Sequence, residues 1–394
     1  MRVGIDCRMY DTGFTGIGRY VFNLVKYLLA GQGQGSGQQP YQYVLFFNQS
    51  QLAELPAELK QQAEVVVIDA PYYSWSEQLG YPRELRRQRL DLMHFTHFNA
   101  PLMYRGKVVV TIHDLTLSKY PSHKRNSPWH RAAYQLTLRN IVGRAEKVIA
   151  VSGNTKKDLV EMLGAEADKV AVIHEAPADN FRNDISEKLV RAAQQKYGLG
   201  DNYLLYTGVW RPHKNLVRLV EAFAALKRRG KSQQRDWSGL KLVIAGKENA
   251  DYPDVRERVN LLGLRRAVVL PGFIADEDLP AVVKGAAIYV FPSLYEGFGL
   301  PPLEAMACGT PVCVANTSSL PEVCGLANAH YFDPLSVADM AEKLGELLAD
   351  EGLREKYRQR GLLRAAEFSW PKMALATREI YDLILRPELV GAGS

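Results

Sequence analysis

The sequence of 394 residues contains no apolar run that approaches the roughly 20 residues needed to span a bilayer. Its N-terminus, MRVGIDCRMY, lacks the apolar core of a secretory signal and reads as a first strand, so a cytoplasmic chain is expected. Cysteine is scarce: Cys7, Cys308, Cys313 and Cys324 have no metal-ligand spacing and are expected to be reduced thiols. Glycines follow the first strand, but not with the G-x-G-x-x-G spacing, which argues against a dinucleotide dehydrogenase. No Asp-x-Asp metal motif stands on a suitable loop, so no cofactor and no metal are expected. The basic residues accompany no recognisable nucleic-acid-binding module, and nucleic acid is not an expected partner.

What is present fits a soluble globular protein of about two domains, with 47% hydrophobic and 23% charged residues. Short apolar strands recur at Arg2 to Asp6, Tyr43 to Phe47, Glu64 to Ile68, Leu92 to Phe98, Val108 to Ile112 and Lys169 to Ile173. The rhythm resumes at Tyr203 to Thr207 and Lys241 to Ala245, with helical patterns between strands, which is an α/β pattern. The stretch Ala70 to Pro82 is rich in aromatics and reads as a loop, a candidate acceptor-side surface. Gly31 to Pro40 is polar and glycine-rich, a surface loop by composition.

The most informative stretch is YVFPSLYEGFGLPPLEAMACGTPVCV, Tyr289 to Val314. An apolar strand leads into a turn holding Gly297 and Gly299, and Pro301 and Pro302 signal a helix start. A short helix carrying Glu304 ends at Gly309, before a second apolar strand. Backbone N–H groups and the helix dipole converge at such a turn and suit an anion. Glu296 in the loop and Glu304 in the helix stand eight apart. Two carboxylates beside an anion-binding loop suit a ligand with both phosphates and hydroxyls, a nucleotide-sugar.

This run resembles the E-x7-E signature of the retaining glycosyltransferases of family four, glycosyl transferases group 1, and the forms TIHDL (Thr111 to Leu115) and RPHKNL (Arg211 to Leu216) look most like their mannosyl- and rhamnosyl-transferring branch. The resemblance implies the GT-B architecture, two Rossmann-like domains facing across a deep interdomain cleft. It implies that Glu296 holds donor-sugar hydroxyls and Glu304 the ribose hydroxyls, with the N–H groups of Gly297, Phe298, Gly299 and Leu300 near the phosphates. Other segments match too. In DTGFTGIGRY, Gly16 and Gly18 stand where the family's N-terminal glycine loop faces the donor diphosphate. The strand Val108 to Ile112 ends at His113–Asp114, at the sheet edge where open α/β folds bind ligands; the family's histidine there contacts donor-sugar hydroxyls. Asp114 either orients that ring or caps the next turn. Arg211 and Lys214, in GVWRPHKNL, stand where the family has an Arg and a Lys for the diphosphate, Lys214 fitting better. Backbone groups around Gly272 and Phe273 match the base-holding segment. One segment departs: His174–Glu175–Ala176 replaces a frequent asparagine-glycine pair.

The expected domains are residues 1–178, on the acceptor side, and 179–369, which bind the nucleotide-sugar, with a C-terminal helix at 370–388 returning to the first. The expected reaction is retaining transfer of a hexose to a lipid-linked or oligosaccharide acceptor in bacterial surface polysaccharide or glycolipid synthesis. GDP-mannose is the lead donor. The alternatives are another GT-B enzyme using a UDP- or dTDP-sugar, of sucrose- or glycogen-synthase type, and a non-catalytic nucleotide-binding protein. Both glutamates lie on one loop-helix element, which argues against a two-carboxylate hydrolase. Residues 81–160 hold fifteen Lys and Arg against five Asp and Glu. That excess, with arginines among apolar residues in Tyr81 to Phe95, suggests a surface helix against an anionic membrane, on the inner face of the plasma membrane.

Overall fold

A computed structural model describes the chain apart from residues 11–15, 32–40, 52–54, 56, 71, 73, 121–127, 233, 236, 250–251 and 391–394. Gly13 and nearly all of the stretch from 31 to 40 therefore lie outside the described residues. The chain divides into two compact units, residues 1–175 with 369–394, and residues 176–368.

The first unit is built on seven parallel strands, β1 (Arg2–Asp6), β2 (Gln42–Asn48), β3 (Glu64–Ile68), β4 (Leu92–Phe95), β5 (Val108–Ile112), β6 (Lys147–Ala150) and β7 (Val170–Val172). Their order is β3-β2-β1-β4-β5-β6-β7. The second holds six, β8 (Tyr203–Thr207), β9 (Lys241–Ala245), β10 (Val268–Gly272), β11 (Ile288–Phe291), β12 (Val312–Ala315) and β13 (His330–Phe332), ordered β10-β9-β8-β11-β12-β13. Helices on both faces bury these sheets, so their strands read as unbroken apolar runs; β5 (VVVTI) and β11 (IYVF) are buried at every position. Each order reverses once, between β1 and β4 and between β8 and β11. Loops leaving the carboxyl ends diverge at such a reversal, and open α/β sheets bind ligands there.

Two readings of the first unit need correction. The aromatic stretch expected as a loop contributes most of a helix, Trp75–Arg87, whose N-cap Ser74 accepts a hydrogen bond from the Glu77 N–H at 3.2 Å. The S-x-x-E spacing of a capping box was the available signal. The expected surface helix across Tyr81 to Phe95 ends at Arg87, and Leu92–Phe95 is the central strand β4, buried throughout and paired with β1 and β5. Tyr81 and Leu85 point inward to a core with Phe46, Phe95 and Leu138.

Polar groups are also enclosed. The Arg8 guanidinium reaches Asp6 at 2.7 Å and Glu77 at 2.8 Å, between the rings of Tyr72 and Tyr81, each 4.5 Å away. Carbonyls of Ala70 and Asn99 accept its remaining hydrogens, so the buried charge is compensated on every side. The helix Trp370–Leu385 belongs to this unit and packs on Gly16–Ala30. Its Tyr381 hydroxyl lies 2.6 Å from His94 Nδ1, and His94 Nε2 lies 2.9 Å from Thr111 Oγ1.

His94 is wholly buried in the first unit and His213 nearly so in the second, and burial pushes both down from 6.5 to about 3. Between those values the unfolded chain binds protons that the folded chain does not. Stability is thus fully present above pH 6.5 and is lost as pH falls toward 3, by about 1.4 kcal/mol per pH unit for each ring. Urea unfolding followed at neutral pH and again about one unit below the histidine midpoint should show this loss in both units. Coincident curves would show that neither ring is held neutral.

Candidate functional site

In the second unit the carboxyl ends of β8 and β11 flank the reversal of strand order, and the loop leaving each carries charge. After β8, the backbone turns through Gly208 and a short 3-10 turn, Pro212–Lys214, and Asn215 adopts a left-handed conformation at φ 62°. The Asn215 side chain, buried, donates from Nδ2 to the carbonyls of Pro292 at 3.1 Å and Pro334 at 2.7 Å. One side chain thus ties the loop after β8 to the loops after β11 and β13. The loops are joined again where the Leu294 N–H donates to the His213 carbonyl at 2.8 Å.

This bracing brings two of the expected residues together. Lys214 Nζ lies 2.6 Å from Glu296 Oε1, with 18% and 14% of the two side chains exposed. The Phe291 ring lies 5.5 Å from the same ammonium. Ser318 and Ser319, in the loop after β12, hold the glutamate backbone. The Glu296 carbonyl accepts from Ser318 Oγ at 2.6 Å and Ser319 Oγ at 3.1 Å, and the Glu296 N–H donates to Ser318 Oγ at 3.0 Å. Ser319 also reaches the Phe298 carbonyl at 2.6 Å. Arg211 is in the same loop as Lys214 but exposed to solvent.

Gly299 caps the helix Leu300–Ala307 at φ 113°, a conformation that glycine alone adopts without strain. Pro301 and Pro302 have no N–H, so Gly299 and Leu300 supply the backbone donors at this terminus. Glu304 lies one turn further in and is buried; Tyr289 and Cys308 are raised by burial first, and the nearby Glu304 charge adds to the shift of each. The four cysteines are free thiols and buried.

The carboxyl ends of β8, β9 and β10 each finish in a glycine at positive φ: Gly208, Gly246 and Gly272. A Cβ on Gly246 would fall 2.1 Å from the Gly208 carbonyl oxygen, so the two loops approach backbone to backbone. Phe273 follows, 55% exposed. Ser293 Oγ and the Trp210 indole nitrogen are buried at this edge without a hydrogen-bond partner among the described residues. Among those residues no group of three or more His, Cys, Asp or Glu is spaced to hold a metal ion.

The remaining expected residues belong to the first unit. Gly16 and Gly18 open the helix Gly16–Ala30. His113 stands at the carboxyl end of β5, but is buried with both ring nitrogens engaged. Nδ1 lies 3.0 Å from Glu175 Oε1 and Nε2 lies 3.0 Å from the Thr96 carbonyl. Asp114 does not orient this ring; its Oδ1 accepts from the Thr116 N–H at 2.7 Å and caps the turn. The imidazole's carboxylate partner is Glu175, in the segment that departs from the family pattern, and sequence reasoning missed it. Ser318, Ser319 and Asn215 were missed as supports because their partners are remote in sequence.

The model of Glycosyltransferase Family 4 matches residues 14–176, and that of glycosyl transferases group 1 matches residues 190–364. The serotype-specific mannosyltransferase WbdA of Escherichia coli is 32% identical over 71% of this chain. The alignment takes in 34% of WbdA, so this chain spans about a third of the length of that relative. The O-antigen chain mannosyltransferase B of the same organism is 29% identical over 94% of this chain and 96% of its own length. Among solved structures, sucrose-phosphate synthase from Thermosynechococcus elongatus aligns over 100% of both chains with a TM-score of 0.74 at 19% identity, a likeness of fold. Two Rossmann-like units of reversed parallel order and two family models in succession lead to one conclusion: the chain belongs to the GT-B glycosyltransferases of family four, with a group 1 glycosyl transferase domain as its second half.

Proposed function

We propose that the protein is a retaining glycosyltransferase that moves a hexose, with mannose from GDP-mannose as lead donor, to a lipid-linked or oligosaccharide acceptor during bacterial surface polysaccharide synthesis. The observation that carries the reading is the Lys214–Glu296 pair at the strand reversal of the second unit, beside the helix terminus at Gly299–Leu300. The likeness to a serotype-specific mannosyltransferase and to an O-antigen chain mannosyltransferase supports mannose as the sugar and a surface polysaccharide as the acceptor class.

Glycosyl transfer builds negative charge on the departing diphosphate while the sugar becomes oxocarbenium-like. A fixed cation and backbone N–H groups aimed at that charge lower the barrier because they need no reorganisation as it develops. Lys214, Arg211 and the N–H groups from Gly297 through Phe298, Gly299 and Leu300 have that role here, and the leaving group is neutralised without a metal. Glu296 holds sugar hydroxyls, and the ion pair orients its carboxylate. A diphosphate competes with Glu296 for Lys214, so donor entry frees carboxylate oxygens for those hydroxyls. Glu304 takes the ribose hydroxyls, and Gly272 with Phe273 the base. Family membership extends the donor site to His113, Gly16 and Gly18 of the first unit.

The second part of the proposal concerns an anionic membrane. The helix Trp75–Arg87 turns one stripe outward: Trp75 and Leu79, 83% and 55% exposed, then Arg83, Arg86 and Arg87. Arg87 also pairs with Glu84 at 3.2 Å. On the helix Pro128–Arg144, Trp129 and Leu136 are 84% and 60% exposed. Exposed apolar side chains beside arginines match a bilayer interface with anionic headgroups. No helix among the described residues is long and apolar enough to cross a membrane.

Release of nucleoside diphosphate from a panel of GDP-, UDP- and dTDP-sugars tests the reaction. Turnover is expected with at least one donor, and Glu296→Ala and Lys214→Ala should each lower it by roughly two orders of magnitude or more, with unchanged circular dichroism. Rates near the unsubstituted enzyme would remove the assigned roles, and absence of both binding and turnover with every donor would remove the reading. Co-sedimentation with phosphatidylglycerol vesicles tests the membrane surface, with pure phosphatidylcholine as control. Each arginine contributes about 1 kcal/mol, so replacing Arg83, Arg86 and Arg87 by Gln should weaken partitioning by about two orders of magnitude. Equal recovery on both vesicle types would end the membrane proposal.

A further inference from the structure

The loop that follows β12 lies along the turn that carries Glu296, residue against residue. Ser318 Oγ donates to the Glu296 carbonyl at 2.6 Å and accepts from the N–H of the same residue at 3.0 Å. Ser319 Oγ donates to that carbonyl at 3.1 Å and to the Phe298 carbonyl at 2.6 Å. A Cβ on Gly299 would fall 2.9 Å from Leu320 Cδ2, so the next residue of the loop packs on the next part of the turn. Both serines forgo a local preference in this arrangement. Ser318 lies in the left-handed region at φ 58°, a conformation that is strained for a residue with a Cβ and open to glycine. Among the described residues four other than glycine have positive φ, and two of them are Asn215, next to Lys214, and Ser318, bonded to Glu296. Ser319 is the N-cap of the helix Leu320–Cys324, yet its hydroxyl makes no capping bond and reaches the turn instead.

A residue held at both its N–H and its carbonyl cannot swing its Cα–Cβ bond, so the Glu296 carboxylate is aimed from behind. Lys214 is anchored separately, through Asn215 and the carbonyls of Pro292 and Pro334. We infer that Ser318 is a positioning residue for the donor sugar: through the Glu296 backbone it aims the carboxylate and so sets which hydroxyl arrangement the site accepts, while Lys214 grips the diphosphate independently. The inference rests on the proposed function, in which Glu296 holds sugar hydroxyls, and adds a determinant of sugar choice outside the glutamate itself. A carboxylate discriminates between epimers only when its direction is fixed, because a mobile one follows the hydroxyl to either position.

Two substitutions at one position test this. Ser318→Gly removes the hydroxyl and relieves the backbone, whereas Ser318→Ala removes the hydroxyl and keeps the strained φ. Thermal unfolding should find the Gly variant at least as stable as the Ala variant, and the Gly variant is the deciding one. Both should lose kcat/KM by up to about a hundredfold, the order of loss for a reacting group misplaced by about 1 Å. Both should also discriminate less between a donor and its hexose epimer on the same base, GDP-mannose and GDP-glucose for the lead donor. Calorimetric affinity for the nucleoside diphosphate alone, GDP for that donor, should be unchanged. In a Glu296→Ala background Ser318→Gly should cost nothing further, because it acts through that carboxylate. A Ser318→Gly variant as active and selective as the unsubstituted enzyme, with Glu296→Ala impaired, overturns the inference and leaves the proposed function standing. Unchanged discrimination in an impaired Ser318→Gly, additive losses in the double variant, or equally weakened binding of the nucleoside diphosphate overturns it too. Full turnover in Glu296→Ala instead removes the role of Glu296 from the proposed function, and the inference falls with it.

Discussion

Lys214 and Glu296 are 82 residues apart in sequence and 2.6 Å apart in space, because β8 and β11 lie side by side and parallel. Parallel strands send the loops that follow them to a single edge, and reversal of order makes these two loops diverge around open space. Asn215, Ser318 and Ser319 convert that divergence into a fixed distance by bonding loop backbone to loop backbone. The charged pair is thus held by atoms that carry no charge. In the proposed reaction this bracing holds Lys214 beside the place where phosphate charge develops.

The first unit uses the same topology to a different end. At the carboxyl edge of β1, β4 and β5 several polar groups pair with one another: Arg8 between Asp6 and Glu77, Thr96 Oγ1 on the Asp6 carbonyl at 2.6 Å, and His113 between Thr96 and Glu175, while the side-chain amide of Asn99 is buried without a hydrogen-bond partner among the described residues. Burial raises the electrostatic stakes of each contact, since a charge left unpaired there would lose its water without replacement. The second unit instead leaves its key pair partly open to solvent. One edge is a rigid polar floor and the other is a set of charges that a ligand can reach.

The run YEGFGLPPLEAMACG disclosed its local structure because its instructions are local. Gly299 permits the positive φ, the prolines start the helix, and the spacing of Glu296 and Glu304 is countable. The helix at Trp75 is not legible in its aromatic content, and its local signal is the Ser74–Glu77 cap. Arginines directly precede the strand Leu92–Phe95, so its local pattern fits a membrane-facing segment as well as the sheet; pairing with β1 and β5 places it in the sheet.

By itself the sequence determined the alternation of strands and helices, the glycine turn, the family and the identity of the charged residues at the loop ends, all written within a few residues or in the period of the apolar pattern. Tertiary structure alone decided that Lys214 pairs with Glu296, that Asp114 caps a turn, and that Glu175 is the partner of His113. Those contacts join segments whose separation along the chain is closed only when the sheets assemble, and strand order in a parallel sheet is set by packing and crossover handedness, which no local pattern encodes.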